Sequence, residues 1–202
     1  MKRVFIQERD RKLLQLAYEH QFVSTNQIRR VLFKNVHMSE CYRRLKELEQ
    51  SGFITRTAPI TAGTGAYVRV TPDGASAARG ISIYEVPQNR LNLYAIAHDM
   101  LVLDARVRLL ELFNDAIWTP EQTIKKDWAP SRLSSYCYDD LQYPDGVMTL
   151  SNGNRIAIEL ENAAKSKERY GQIFRKWSRS DKVEYVMYIA TSEQIKKTVL
   201  ST

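Results

Sequence analysis

Apolar residues recur at helical spacing through the first fifty positions, and two short alternating runs follow them. Leu13, Leu14, Leu16 and Ala17 form an apolar stripe after Asp10, so a first helix is predicted to end near His20. Ile28, Val31 and Leu32 mark a second helix, which Ser24 or Thr25 can cap by accepting hydrogen bonds from its first free amides. A third begins near Ser39, with Cys41, Leu45 and Leu48 inward and Ser39, Tyr42, Arg43, Arg44 and Lys46 on or beside the outer surface. Gly52 ends it, because glycine takes the left-handed backbone at little cost. The runs 53–56 and 66–70 then read as strands around a loop of small residues, Thr61 to Gly65, and Pro72 opens a closing helix. Three helices and a hairpin predict a winged helix-turn-helix domain over residues 1–80.

Residues 81–91 read as a linker, and 92–202 as a second domain. A long helix runs from about Leu91 to Phe113 and carries His98 and Asp99, a pair most simply read as a partly buried histidine bonded nearby. The segments 143–150 and 155–161 alternate about Asn152-Gly153 and predict a β-hairpin. A three-residue loop, Asn152 to Asn154, pairs Asp145 with Glu161; Met148 and Leu150 then share a face with Ile156, Ile158 and Leu160, and Asp145, Thr149, Glu159 and Glu161 share the other. Three carboxylates gathered in this way repel unless a cation neutralises them, and hard oxygen ligands suit magnesium or manganese. The alternative is an amphipathic hairpin with its acids in water. In the helix that follows, Lys165, Arg169, Gln172, Lys176 and Arg179 form a basic stripe, with Tyr170, Ile173, Phe174 and Trp177 inward. Arg169 and Lys176 are thus candidates to hold a nucleic-acid backbone, although an exposed amphipathic helix has the same pattern. Glu184 to Ala190 reads as the last strand, and Glu193 to Leu200 as a further helix on which the chain stops, as a fragment truncated at its C-terminus would.

Charge sharpens this picture. Residues 1–80 hold 14 Lys and Arg against 7 Asp and Glu, an excess equal to the +7 of the whole chain, while the rest is balanced. A basic unit joined to a neutral one is the footprint of a protein that meets a polyanion, and in the third helix Arg43, Arg44 and Lys46 are placed to reach phosphates or base edges in a major groove. No apolar run is long enough to span a bilayer and no signal-peptide pattern opens the chain, so a cytoplasmic protein is expected. Cys41 and Cys137 are expected to be reduced packing residues, and with three histidines in the chain a zinc site is not expected.

At Pro144-Asp145 and Glu159-Leu160-Glu161 the chain resembles the PD-(D/E)xK nuclease superfamily, whose pattern is an aspartate at a strand start and an acid-x-lysine on the next strand. Here Glu161 occupies the lysine position. Either Glu161 is a third metal ligand, or Lys165 or Lys167 supplies the missing charge, or catalysis has been lost. The whole layout, including His98-Asp99, Lys165 and Tyr170, resembles the replication-relaxation family, which includes MobC-type plasmid mobilisation relaxases. That resemblance implies an α/β (α+β) protein, a winged helix joined to a restriction-endonuclease-like domain. It implies metal-dependent nicking of double-stranded DNA at an origin of transfer, within a relaxosome or beside a coupling protein. Asp145, Glu159 and Glu161 would be the metal-binding and catalytic carboxylates, with Lys165 assisting. The rival expectation is a noncatalytic regulator or accessory factor whose second domain serves to form a homodimer or dock a partner.

Overall fold

A computed structural model describes residues 4–59, 65–79, 93–128 and 142–202. The expected linker, the loop centre Thr61–Thr64 and Cys137 lie outside the described residues. Among the described residues the fold is mixed α+β, with eight helices and two sheets, and the chain divides into two compact units, Met1–Asp104 and Ala105–Thr202.

The first unit contains α1 (Glu8–Glu19), β1 (Val23–Ser24), α2 (Thr25–Leu32), α3 (Met38–Gln50), β2 (Ile54–Thr57), β3 (Tyr67–Val70), α4 (Pro72–Arg79) and the first part of α5 (Leu93–Leu112). The helix α1 starts earlier than its apolar stripe suggests. Gln7 is the N-cap, and the carboxylate of Asp10, inside the first turn, accepts the Gln7 backbone N–H at 2.7 Å. Of the two candidate caps for α2, Ser24 takes the role: its hydroxyl accepts the Gln27 backbone N–H at 3.1 Å, and the Gln27 side chain accepts the Ser24 backbone N–H at 3.1 Å. Leu13, Leu14, Ala17, Ile28, Leu45, Leu48 and Ile54 are buried, whereas Val31 and Leu32 are only partly so, because Phe33 at the end of α2 turns inward. Gly52 has φ +78°, as the end of α3 requires. β2 and β3 are antiparallel, with Ile54 opposite Val70 and Thr57 opposite Tyr67, and the two-residue β1 adds to the free edge of β3. Phe22, Tyr67 and Ile96 form a cluster joined by Met100, and the Gln27 amide donates to the Met100 carbonyl at 2.9 Å and to Asp104 at 2.8 Å.

The second unit contains β4 (Ile117–Pro120), α6 (Glu121–Trp128), β5 (Gly146–Thr149), β6 (Arg155–Glu161), α7 (Lys167–Ser178), β7 (Tyr185–Ala190) and α8 (Glu193–Leu200). The sheet order is β4-β5-β6-β7; the first two pairings are antiparallel and β6 runs parallel to β7. The β5–β6 hairpin forms with the expected side-chain parity but not the expected pairing. Met148 faces Ile156 and Gly146 faces Ile158, and the turn is Ser151–Gly153, closed by the Leu150 N–H donating to the Asn154 carbonyl at 2.9 Å. The register is therefore two residues away from the one that pairs Asp145 with Glu161. A shift of two leaves every side chain on its face, which is why the apolar pattern alone does not distinguish the two. Gly153, at φ +86°, supplies the left-handed residue of the turn.

The strand β6 is central, and all its residues after Arg155 are buried, so its two faces are both covered. On one face Ala157 packs with Ile173 and Trp177 of α7 and with Val186 and Tyr188 of β7. On the other, Met148, Ile158 and Leu160 are buried, and the Trp118 ring lies so close to Gly146 that a Cβ there would stand 2.1 Å from it.

Candidate functional site

The acids of β6 end up inside the protein. Glu159 is 8% exposed and Glu161 3%, because a strand flanked on both edges and roofed by a helix leaves no wet face. Glu159 and Glu161 are therefore not the water-exposed acids of a plain amphipathic hairpin, while Asp145 is partly buried. Glu159 Oε1 accepts two hydrogen bonds, from the Gln142 amide at 3.1 Å and from the Trp177 indole N–H at 3.2 Å. Even so, burial, together with the negative charge of Asp145 and then of Glu161, pushes its pKa up to about 7, against the pull of Gln142 and Lys165. Tyr188 shares this environment: burial, then the charges of Glu159 and Glu161, raise the pKa of its hydroxyl.

Asp145 lies at the entrance to β5. Its backbone N–H donates to the Ile158 carbonyl at 3.0 Å, and its carboxylate accepts the Leu160 backbone N–H at 2.7 Å, replacing the strand bond that β5 is too short to make. The ammonium of Lys165, just before α7, contacts the Glu161 carboxylate and stands 5.7 Å from the centre of the Tyr170 ring. Tyr170 is fully buried, and its hydroxyl accepts the Lys165 backbone N–H at 3.4 Å. The structure thus brings together Asp145, Glu159, Glu161 and Lys165 as an electrostatic group, yet directs each carboxylate to a protein donor. Among the described residues no three His, Cys, Asp or Glu side chains are grouped to hold a metal ion. Gln142 and Trp177 are the members that sequence reasoning missed. Trp177 was legible as an inward residue of α7, but its indole donor was not, and Gln142 belongs to no periodic pattern.

The expected basic surfaces are partly rearranged. Ser39, Tyr42, Arg43 and Lys46 are exposed on α3. Arg43 is paired with Glu40 and Glu47, which neutralises its charge locally. Arg44, expected among the DNA-contacting residues, has a side chain 11% exposed that holds the buried carboxylate of Asp10, Glu47 and the Phe5 carbonyl, so it links α3 to α1. On α7, Arg169 is exposed and donates to Gln172 at 3.2 Å, while Lys176 is half-buried. His98 and Asp99 are in contact at 3.5 Å, both partly buried. Cys41 is a buried free thiol. No described helix is long and apolar enough to cross a membrane.

A comparison with curated proteins returns no match. The profile of the replication-relaxation family matches residues 14–184, through both units and across every residue of the acid group, and the chain therefore belongs to the replication-relaxation family.

Proposed function

We propose that the protein binds double-stranded DNA through a winged-helix first unit and cleaves one strand with the acid group of a PD-(D/E)xK-like second unit, in plasmid mobilisation. The observation that carries this reading is Glu159, a buried carboxylate on a central strand whose proton affinity is raised to near neutrality beside two further acids. Such an arrangement is unfavourable for folding alone and is of the kind found where a proton or a cation is handled. The element order of the first unit supports the winged helix, and the placing of Asp145 at a strand start with Glu159 and Glu161 on the next strand supports the nuclease likeness.

Asp145, Glu159 and Glu161 are all-oxygen donors of the type that hold magnesium or manganese, and turning each away from its present donor would open them to an ion. When bound, that ion would polarise a phosphodiester and lower the pKa of a coordinated water. Left off the ion, Glu159 would take the proton of the attacking water near neutral pH as the water oxygen bonds to phosphorus, the bond to the sugar oxygen breaks, and that oxygen leaves with a proton from solvent. Lys165 offsets the charge of Glu161 and, released from it, can meet a phosphate oxygen. A second reading has its own support: Glu161 stands where the nuclease pattern has lysine, and all three carboxylates are engaged internally, as in an accessory protein that binds DNA without cutting it.

The two readings separate in one assay. With magnesium or manganese, the wild type is expected to relax supercoiled plasmid carrying its cognate origin, and Asp145→Ala and Glu159→Ala to abolish relaxation while DNA binding survives. Relaxation unchanged in both variants eliminates the carboxylate site, and a wild type that binds the origin but leaves it supercoiled establishes the accessory role.

A further inference from the structure

The sequence points to α3 as the DNA-contacting helix, but the charge of the first unit is not concentrated there. Residues 38–50 carry Arg43, Arg44 and Lys46 against Glu40, Glu47 and Glu49, so the helix is neutral as a whole, and one of its three cations is turned inward. Residues 25–34 carry Arg29, Arg30 and Lys34 with no acid. These three, with Asn26 and Phe33, line a surface groove of about 500 Å³. At its border Asp104 contacts Arg30 and also accepts from Gln27 at 2.8 Å. That contact fixes the Arg30 guanidinium in place and leaves the groove with a surplus of positive charge. Arg9 adds to it, its guanidinium 4.1 Å above the centre of the Phe33 ring. The buried Cys41 thiol registers the same field: burial raises its pKa, and Arg9 and Arg29 pull it part of the way back.

We propose that this groove along α2 is the principal phosphate-binding surface of the first unit and takes the sugar-phosphate backbone of duplex DNA. The inference rests on the DNA-binding reading above and locates its electrostatic part. Several exposed cations in a row suit successive phosphates better than one small anion, since each neutralised phosphate releases a counterion. The groove then supplies affinity and registration, and the exposed polar residues of α3, Ser39 and Tyr42 among them, are left to supply discrimination.

The test uses the full chain and a short mixed-sequence duplex labelled with fluorescein, with anisotropy followed across potassium chloride concentrations. Arg29→Ala/Lys34→Ala is expected to weaken binding by about tenfold or more at moderate salt and to reduce the salt slope by about 1.8, or about 0.9 for each phosphate no longer neutralised. Lys196→Ala/Lys197→Ala, which removes equal charge from α8, is expected to change neither. Both groove side chains are exposed, so the variants should melt with the wild type. The charge-preserving exchange Arg29→Lys/Lys34→Arg is expected to restore the slope. A wild-type slope in the alanine double variant overturns the groove and leaves DNA binding standing. Equal losses in the α8 control overturn it as well, because affinity would then follow net charge alone. A wild type that does not bind duplex at all removes both the groove and the DNA-binding reading.

Discussion

Glu159 shows most directly how burial sets chemistry. Its pKa in the folded protein, about 7, lies above the ordinary carboxylate value, so the stability it contributes is complete below the ordinary range and is lost as pH rises through 7. With chelator present, unfolding free energy measured by denaturant is expected to fall by about 2.5 kcal/mol between pH 5 and pH 8, and Glu159→Gln to flatten that fall; parallel curves for the two proteins would show that the group titrates normally. Arg44 has a different part. Replacing it by alanine would strand the Asp10 carboxylate in the core, an expected loss of about 3–5 kcal/mol by the same measurement, whereas Arg43→Ala, at 59% exposure, should change stability little. The sequence shows both arginines on one helix but not which is inward, since that depends on Asp10 arriving from α1. The three acids were legible from their spacing; their donors, Gln142 and the Trp177 indole, were not, because those contacts join residues 17 and 18 positions away from Glu159.

Elements with a strong local pattern were legible, and those defined by their neighbours were not. The helices α1 to α3 follow from apolar periodicity and capping residues, and the β5–β6 hairpin from alternation about Asn152-Gly153. The strand β1, two residues long, exists because β3 offers it an edge, and β4 exists because β5 does. Hairpin parity was readable because one face is apolar; the register was not, because a slip of two residues leaves that face intact. The pairing of β4 with β5 also fixes a requirement at one glycine. A side chain at Gly146 would collide with Trp118, so Gly146→Ala is expected to lower stability by about 1–3 kcal/mol in thermal or denaturant melts. An unchanged melt would mean that the indole swings aside at no cost.

For the whole molecule, the contrast is between basic residues 1–80 and a balanced remainder that conceals a buried negative group. The charge difference was visible in the sequence; that the acids are enclosed was not, because full burial of β6 requires β7 and α7 to fold back against it, which no local pattern within β6 records. If a divalent ion binds these acids, magnesium or manganese at about a hundred times its Kd should stabilise the protein by about 2.7 kcal/mol at pH 8, and Asp145→Ala should abolish the gain. A melting temperature indifferent to either metal would count against the ion and for the accessory role. The aspartate that would be recruited is also the group that completes the hydrogen bonding of β6 at Leu160. Drawing it toward any ligand uncovers one backbone amide in the interior, so the hydrogen-exchange rate of the Leu160 amide is a built-in reporter of whether Asp145 has left its structural post.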